Sequence, residues 1–467
     1  MNKYQHFLNE MKTRLPLGEC FDIKEREIVI GRRSTTIYFI DGLTNSEIVQ
    51  MVFSHLLKTP VNVSQNAPTI DEFVKHIMPF HTVILEDDID AVIKNLYSGL
   101  MPVIIDGYDK VAIIDMRHYP ARSVDEPSKE KSLRGAKDGF TETLMVNIAL
   151  VRRRLRDDNL IFKAFEVGTM SKTDVSLVYM KDKADLKIVE RLSEHIKNLD
   201  LSATTVGDQT LVEALINMQK RKNYLNPFPK VRYTQRPDVV SAHIAEGKIA
   251  ILTDNSPTAI LIPAGIFDFL QDVDDYYFPL LTGNYFRLVR IINLLVIMFL
   301  TPVYILVSQG DINIPVNNKF FIPEEDYAVS IFWQFILLEL AIDGLKLASL
   351  NTPESLGMSL SVIGALLLGE FSISSGWFIP QTILCMAIVA LASFTQPSIE
   401  LGYGMKFMRI LILVGAYVGG IWGASVALLI SVLWIASTKT IGGTSYLYPL
   451  VPFKWSALKR LIFRTKK

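Results

Sequence analysis

Residues 410–436 read ILILVGAYVGGIWGASVALLISVLWIA, a run of 27 residues with no charged side chain. A helix that crosses a bilayer needs about 20 mostly apolar residues. Ile410–Ala436 is therefore long enough for one crossing, or for two short helices that turn near Gly419-Gly420. Further apolar runs lie upstream. Trp377–Phe394 carries no charge, and Met358–Ser375 carries only Glu370. Ile331–Leu350 holds Glu339, Asp343 and Lys346. Ile291–Val307 is broken only by Asn293 and Thr301, with Pro302 as a kink site. Five such runs between Tyr285 and Ser437 predict an α-helical multi-pass transmembrane domain over 287–437.

The chain has 467 residues, 49% of them apolar, and a mean hydropathy of +0.27. Residues 1–284 have an ordinary composition, so the apolar excess lies in the C-terminal part. The 48 basic and 48 acidic residues balance. No global field points to nucleic acid, and none is expected as a partner. Cys20 and Cys385 lie far apart and suggest neither a disulfide framework nor a zinc site. Met1–Arg14 is polar and lacks the apolar core of a signal peptide, which predicts a cytoplasmic N-terminal region. GxGxxG after a strand, GxxxxGK[ST], GxSxG and HExxH are all absent. The seven histidines show no ligand spacing. No enzymatic activity, cofactor or metal is expected.

Before the apolar block, short β-branched runs alternate with helical ones. Residues 1–118 read as an α/β subdomain. Its strands are Glu27–Ile30, Thr35–Ile40 and Val83–Leu85, with a hairpin of Pro102–Asp106 and Val111–Asp115. Its helices are Asn45–Lys58, Thr69–Met78 and Asp90–Ser98. Residues 119–139, punctuated by Pro120, Pro127, Gly135 and Gly139, read as a connector. Residues 140–265 read as a second α/β subdomain opened by a helix over Phe140–Arg156. The fold class is thus a two-lobed α/β N-terminal region followed by the helical membrane domain. Between them, 266–286 mixes seven aromatic residues with aspartates and suits the headgroup level. Residues 438–467 form a basic tail.

Two charge patterns are candidate sites. Arg152, Arg153, Arg154 and Arg156 close the Phe140–Arg156 helix, where cations suit the macrodipole. They read either as a solvated helix end or, together with Arg134, as a contact for another subunit or for lipid headgroups. Glu339, Asp343 and Lys346 share one helix face. A charge at the bilayer centre costs on the order of 2.5–3.5 kcal/mol on insertion scales, so it either faces a polar path or pairs internally. Glu339, Asp343 and Glu370 are the candidate ion pathway, with a local Asp343–Lys346 pair as the alternative. Arg287, Arg290, Lys346, Lys406 and Arg409 serve as markers of the cytoplasmic side. With a cytoplasmic tail they leave five or six crossings open.

Asp125-Glu126-Pro127 and Arg134-Gly135-Ala136-Lys137-Asp138-Gly139-Phe140 are specific in combination. They are joined by Asn147, the arginine cluster, Lys172-Thr173-Asp174-Val175 and Asp274-Asp275-Tyr276-Tyr277. Together they resemble the A-subunit family of GerA-type spore germinant receptors over most of the chain. Ala136 stands where that family often has Pro. Gly369-Glu370-Phe371, Ser375-Gly376-Trp377-Phe378 and the run from Glu400 to Arg409 look closer to the family's stage V sporulation branch than to the nutrient receptors proper. The resemblance implies a multi-pass protein of the inner spore membrane, working in germination as a homo-oligomeric ion channel. It also implies membrane lipids and other germination membrane subunits as partners. A nutrient-receptor subunit and a non-conducting scaffold are the alternatives.

Overall fold

The computed structural model describes residues 3–80, 82–119, 135–199, 208–217, 226–272, 274–312, 327–351, 364, 369, 372–455 and 458–459. The chain divides into two compact units. One comprises Met1–Lys222 with Val231–Pro263, the other Asn223–Lys230 with Ala264–Lys467.

The first unit holds two five-stranded sheets. In the first lobe, α1 (Lys3–Arg14) precedes the ribbon β1 (Ile23–Ile30) and β2 (Arg33–Ile40). Helices α2 (Ser46–Leu57), α3 (Val61–Gln65) and α4 (Ile70–Ile77) lead to β3 (Val83–Glu86). Then α5 (Ile89–Tyr97) leads to the hairpin β4 (Met101–Ile105) and β5 (Val111–Ile114). Side chains cap α2 and α4. Asn45 Oδ1 accepts from the backbone of Glu47 and Ile48, and Thr69 Oγ1 from Glu72. Ile30, Ile37, Val52, Phe73 and Val103 bury together as the core on one face of the sheet.

The second lobe repeats the plan. Helix α6 (Leu144–Arg154) precedes the ribbon β6 (Leu160–Val167) and β7 (Thr173–Met180). Helices α7 (Leu186–Lys197) and α8 (Asp208–Asn217) lead to β8 (Arg232–Thr234). Then α9 (Pro237–Ala245) leads to β9 (Ile249–Thr253) and β10 (Ala259–Ile262). The strand orders, β1-β2-β4-β5-β3 and β6-β7-β9-β10-β8, follow one topology. Every pairing between these strands is antiparallel, so the alternation of strands and helices does not give parallel βαβ units. The two lobes expected from the sequence share an architecture without a visible sequence repeat.

Helix α6 begins four residues later than its apolar period predicts. Asn147 accepts the Thr141 N–H at 2.8 Å and donates to the Thr141 carbonyl at 2.6 Å. Phe140 N–H is committed to the Gln235 carbonyl. The lead-in is thereby held out of the helix until Asp254 accepts the Leu144 N–H at 2.9 Å.

The second unit is helical. After a short turn at Ile266–Leu270 come α10 (Asp274–Tyr277), α11 (Leu280–Ser308), α12 (Ile331–Asn351), α13 (Pro380–Phe394) and α14 (Ile399–Ser437). Helix α11 has 29 residues, about 43 Å at 1.5 Å per residue, so it starts inside the segment read as interfacial. Helices α11 and α14 are each long and apolar enough to cross a bilayer. Helix α12 carries three charged residues, and α13 has only 15 residues. Most of Met358–Ser375, with Glu370, lies outside the described residues, as do 120–134 of the connector and 456–457 and 460–467 of the basic tail. Tyr446 and Leu447 belong to this unit's core, where the buried Tyr446 packs against Phe228 and Phe269.

Helix α14 is two arms rather than one rod. Gly419 and Gly420 leave helical geometry, and Gly420 takes φ 53° and ψ −142°, a conformation costly for any residue with a Cβ. Gly415 and Gly423 would sit about 12 Å apart along a straight helix. Instead their backbones meet, so a Cβ on either would strike the other. A Cβ on Gly415 would also reach Ala427 at 2.8 Å. The arms, 399–418 and 421–437, therefore fold back on one another through a small-residue face. The end of α11 braces the turn. Gln309 Nε2 donates to the Tyr417 carbonyl at 3.3 Å, and the Asp311 carboxylate fills the space where a Gly420 Cβ would stand. G423L should therefore cost at least the roughly 1–3 kcal/mol typical of overpacking and lower the thermal midpoint of the purified full chain. G419A, whose Cβ meets nothing within 4 Å, should be tolerated. Equal midpoints for the two variants would exclude the folded-back arrangement.

Candidate functional site: buried charge clusters in each unit

In the first unit the arginine cluster divides. Arg152 is fully buried, as is Asp22. Its Nε donates to Asp22 Oδ2 at 2.9 Å and its Nη2 to Asp22 Oδ1 at 3.0 Å, a two-pronged charge-assisted contact. Nη1 donates to the Leu160 carbonyl at 3.1 Å, and Nη2 also reaches Cys20 Sγ at 3.1 Å. The guanidinium lies between the rings of Phe162, 4.7 Å away, and Tyr97, 5.3 Å away. Cys20 completes the cluster by donating its thiol hydrogen to Asp22 Oδ1 at 2.9 Å and accepting the Phe162 N–H at 3.2 Å. Burial and the Asp22 carboxylate push the Cys20 thiol up, so it stays the neutral S–H that this donation requires. Burial works against the Arg152 charge, but Asp22 more than offsets it and the guanidinium pKa is raised.

Arg152 is thus neither a solvated helix end nor a contact for lipid or another subunit. It joins the segment before β1 to α6 and β6, one lobe to the other. Arg154 donates to both oxygens of Asp138 at 2.5 and 2.6 Å. Arg153 and Arg156 remain exposed, stacked on Tyr119 at 4.9 and 6.0 Å. Arg134 lies outside the described residues. Asp22 carried no signal in the sequence, because nothing local marks a carboxylate 130 residues from its cation.

In the helical unit the acids of α12 meet cations of α14. Asp343 lies one turn after Glu339, and Arg409 lies three residues after Lys406, so two charged faces oppose each other. Lys406 Nζ is 3.0 Å from Glu339 and pairs closely with Asp343. Arg409 Nη2 donates to Glu339 Oε2, while its Nη1 reaches the Ile297 carbonyl of α11 at 3.3 Å. Glu339 and Arg409 are buried and Lys406 nearly so. One ionic cluster therefore holds α11, α12 and the first arm of α14 together.

The structure corrects two sequence readings here. Asp343 pairs with Lys406 rather than with Lys346, whose Nζ lies over Phe394 and Tyr403 at 5.4 and 5.8 Å. Neither Glu339 nor Asp343 is the bare carboxylate that a cation pathway would present. Arg287 and Arg290, read as markers of the cytoplasmic side, are packed inside the unit. Both are buried against Asp275, with Arg290 making 2.7 and 3.0 Å bonds. Elsewhere, the buried Gln334 of α12 accepts from Ile379 N–H and Thr382 Oγ1 at the start of α13 and donates to the Val329 carbonyl. The sequence did offer one usable sign. Paired cations on an apolar helix, set against paired acids on another, are each costly alone and neutral together.

A family profile described as "Bacillus/Clostridium GerA spore germination protein" matches residues 9–467. The chain belongs to the GerA family. It is 34% identical to "Stage V sporulation protein AF" of Bacillus subtilis (strain 168), over 98% of this chain and 91% of that protein. It is 26% identical to "Spore germination protein KA" of the same organism, over 98% of this chain and 84% of that protein. A crystal structure of the N-terminal domain of the A subunit of the Bacillus megaterium spore germinant receptor GerK3 aligns with a TM-score of 0.41 and 27% identity. It covers 55% of this chain and 93% of that one.

Two outcomes follow from these clusters. D22N leaves a buried guanidinium without its anion and should reduce the opening free energy of β1 and β6 by about 3–5 kcal/mol. Hydrogen exchange of the full chain reads this out, and the apolar pair D22L/R152M should lose less. E339Q should likewise lower the yield and thermal midpoint of the purified chain, with partial recovery in E339Q/R409M. If E339Q matched the parent chain, the cluster would have no structural role.

Proposed function

We propose that this GerA-family chain is a non-enzymatic membrane subunit of a spore germination complex, and that copies of it assemble into an ion channel that promotes ion release during germination. The observation that carries the reading is the buried ionic cluster joining α11, α12 and α14. A passive anchor needs no charge inside its helices, because each one is costly in hydrocarbon. A conducting assembly must hold its helices in fixed positions around a path, and paired charges at one depth do that. Glu339 and Asp343 are then braces of the pathway rather than its lining, and Glu370 remains the candidate lining acid. The exposed Arg153 and Arg156, with Arg134, are the candidate contact for a neighbouring subunit or lipid headgroups. The inner spore membrane is the place of work, with lipids and other germination subunits as partners. Nutrient sensing by this chain is the second reading, implied by the resemblance of its motifs to the A subunits of germinant receptors.

The test is ion flux from liposomes that contain the purified full chain, with the mass of the assembly measured in parallel. Flux above that of empty liposomes, from an assembly of several copies, is expected. E370Q should change conductance or selectivity at normal assembly. E339Q should reduce the amount assembled and leave the conductance per complex unchanged. Assembled protein without flux would mean a scaffold.

A further inference from the structure

Residues of α11, α12, α13 and α14 line a partly open cavity of about 270 Å3 beside the ionic cluster. Its walls are mainly apolar, with Ile342, Met386, Val389 and Phe394 along them. One end is charged. Lys346, Lys406, Arg409 and Glu339 line it, and Asp343 stands behind Lys406. Three cations thus face two carboxylates, and the pairing is uneven. Lys406 and Arg409 are consumed by Glu339 and Asp343. Lys346 is half-buried and, among the described residues, has only the Phe394 and Tyr403 rings for its ammonium. A desolvated ammonium without an anion is costly, and ring faces compensate it only in part. Among the described residues the site therefore has one positive charge to satisfy beside an apolar chamber, which disfavours a metal cation or an organic amine.

We propose that this cavity binds a mono-anionic amphiphile, with its carboxylate or phosphate head on Lys346 and its alkyl chain against Ile342, Met386 and Val389. The volume is at the lower edge of the roughly 300–1,000 Å3 common for small-molecule sites, so the chain inside is short or is the first part of a longer one. The ligand bridges α12, α13 and the first arm of α14, and so ties occupancy to the spacing of the helices that the ionic cluster fixes. The test of this site needs no current.

Radiolabelled decanoate is titrated onto the full chain in neutral phosphatidylcholine nanodiscs, with binding to empty discs subtracted. Saturable binding near one molecule per chain is expected, with decanol at least ten-fold weaker. K346Q should weaken decanoate at least ten-fold, and K346R should restore it. A390F keeps every charge and fills the apolar end, and it should abolish binding even if K346Q assembles poorly. Competition separates the sources of the anion. Displacement by dihexanoyl phosphatidate at lower concentration than by unlabelled decanoate identifies a lipid headgroup, and the reverse order a free amphiphile. Decanol binding as tightly as decanoate, decanoate binding unchanged in both K346Q and A390F, or no saturable binding to the parent chain would each overturn the proposal.

Discussion

A charge removed from water must be met by an opposite charge held in place, and both units of this protein are built on that constraint. In the first unit, Arg152 and Asp22 are sealed together between two lobes. In the helical unit, Glu339, Asp343, Lys406 and Arg409 form one cluster among otherwise apolar helices. Such pairs need not add stability over apolar residues of the same shape, because desolvation offsets much of the attraction. What they fix is position. A guanidinium bonded through both prongs tolerates little sliding of its partner, whereas apolar faces slide readily past one another in lipid.

That distinction explains where the charges lie. The two lobes of the first unit have the same strand order and their own helices, and apolar packing suffices within each. The Arg152 cluster lies between them, with Cys20 and Asp22 on one side and Leu160 and Phe162 on the other. In the helical unit, α11 and the folded-back arms of α14 pack through Ala416, Ala427 and the glycine face. The charges instead tie down α12, whose remaining polar anchor is Gln334. The cavity beside the cluster lies among the same elements, so whatever fills it acts on the same spacing.

Much of this was legible in the sequence. The apolar runs, the ribbon strands and the glycine turn at 419–420 follow from period and backbone freedom, which are local properties. The family followed from motifs such as Arg134–Phe140. Local reasoning erred where a distant partner competed. Helix α6 starts late because Asn147 and Asp254 hold its lead-in. Asp343 turns from the nearby Lys346 to Lys406, 63 residues away.

The sequence by itself determined that the chain has an α/β part and an apolar helical part, which residues are costly in an apolar setting, and to which family it belongs. Only the tertiary structure decided which of those residues are paired. Arg152 reads as surface from its helix position and is core. Glu339 and Asp343 read as open carboxylates and are closed by α14. Lys346 reads, in the alternative, as the partner of Asp343, and among the described residues it is the cation left without an acid. The physical reason is that the cost of a charge depends on its surroundings within a few ångströms. In a folded chain those surroundings are supplied by residues from other elements, whose proximity no local pattern records.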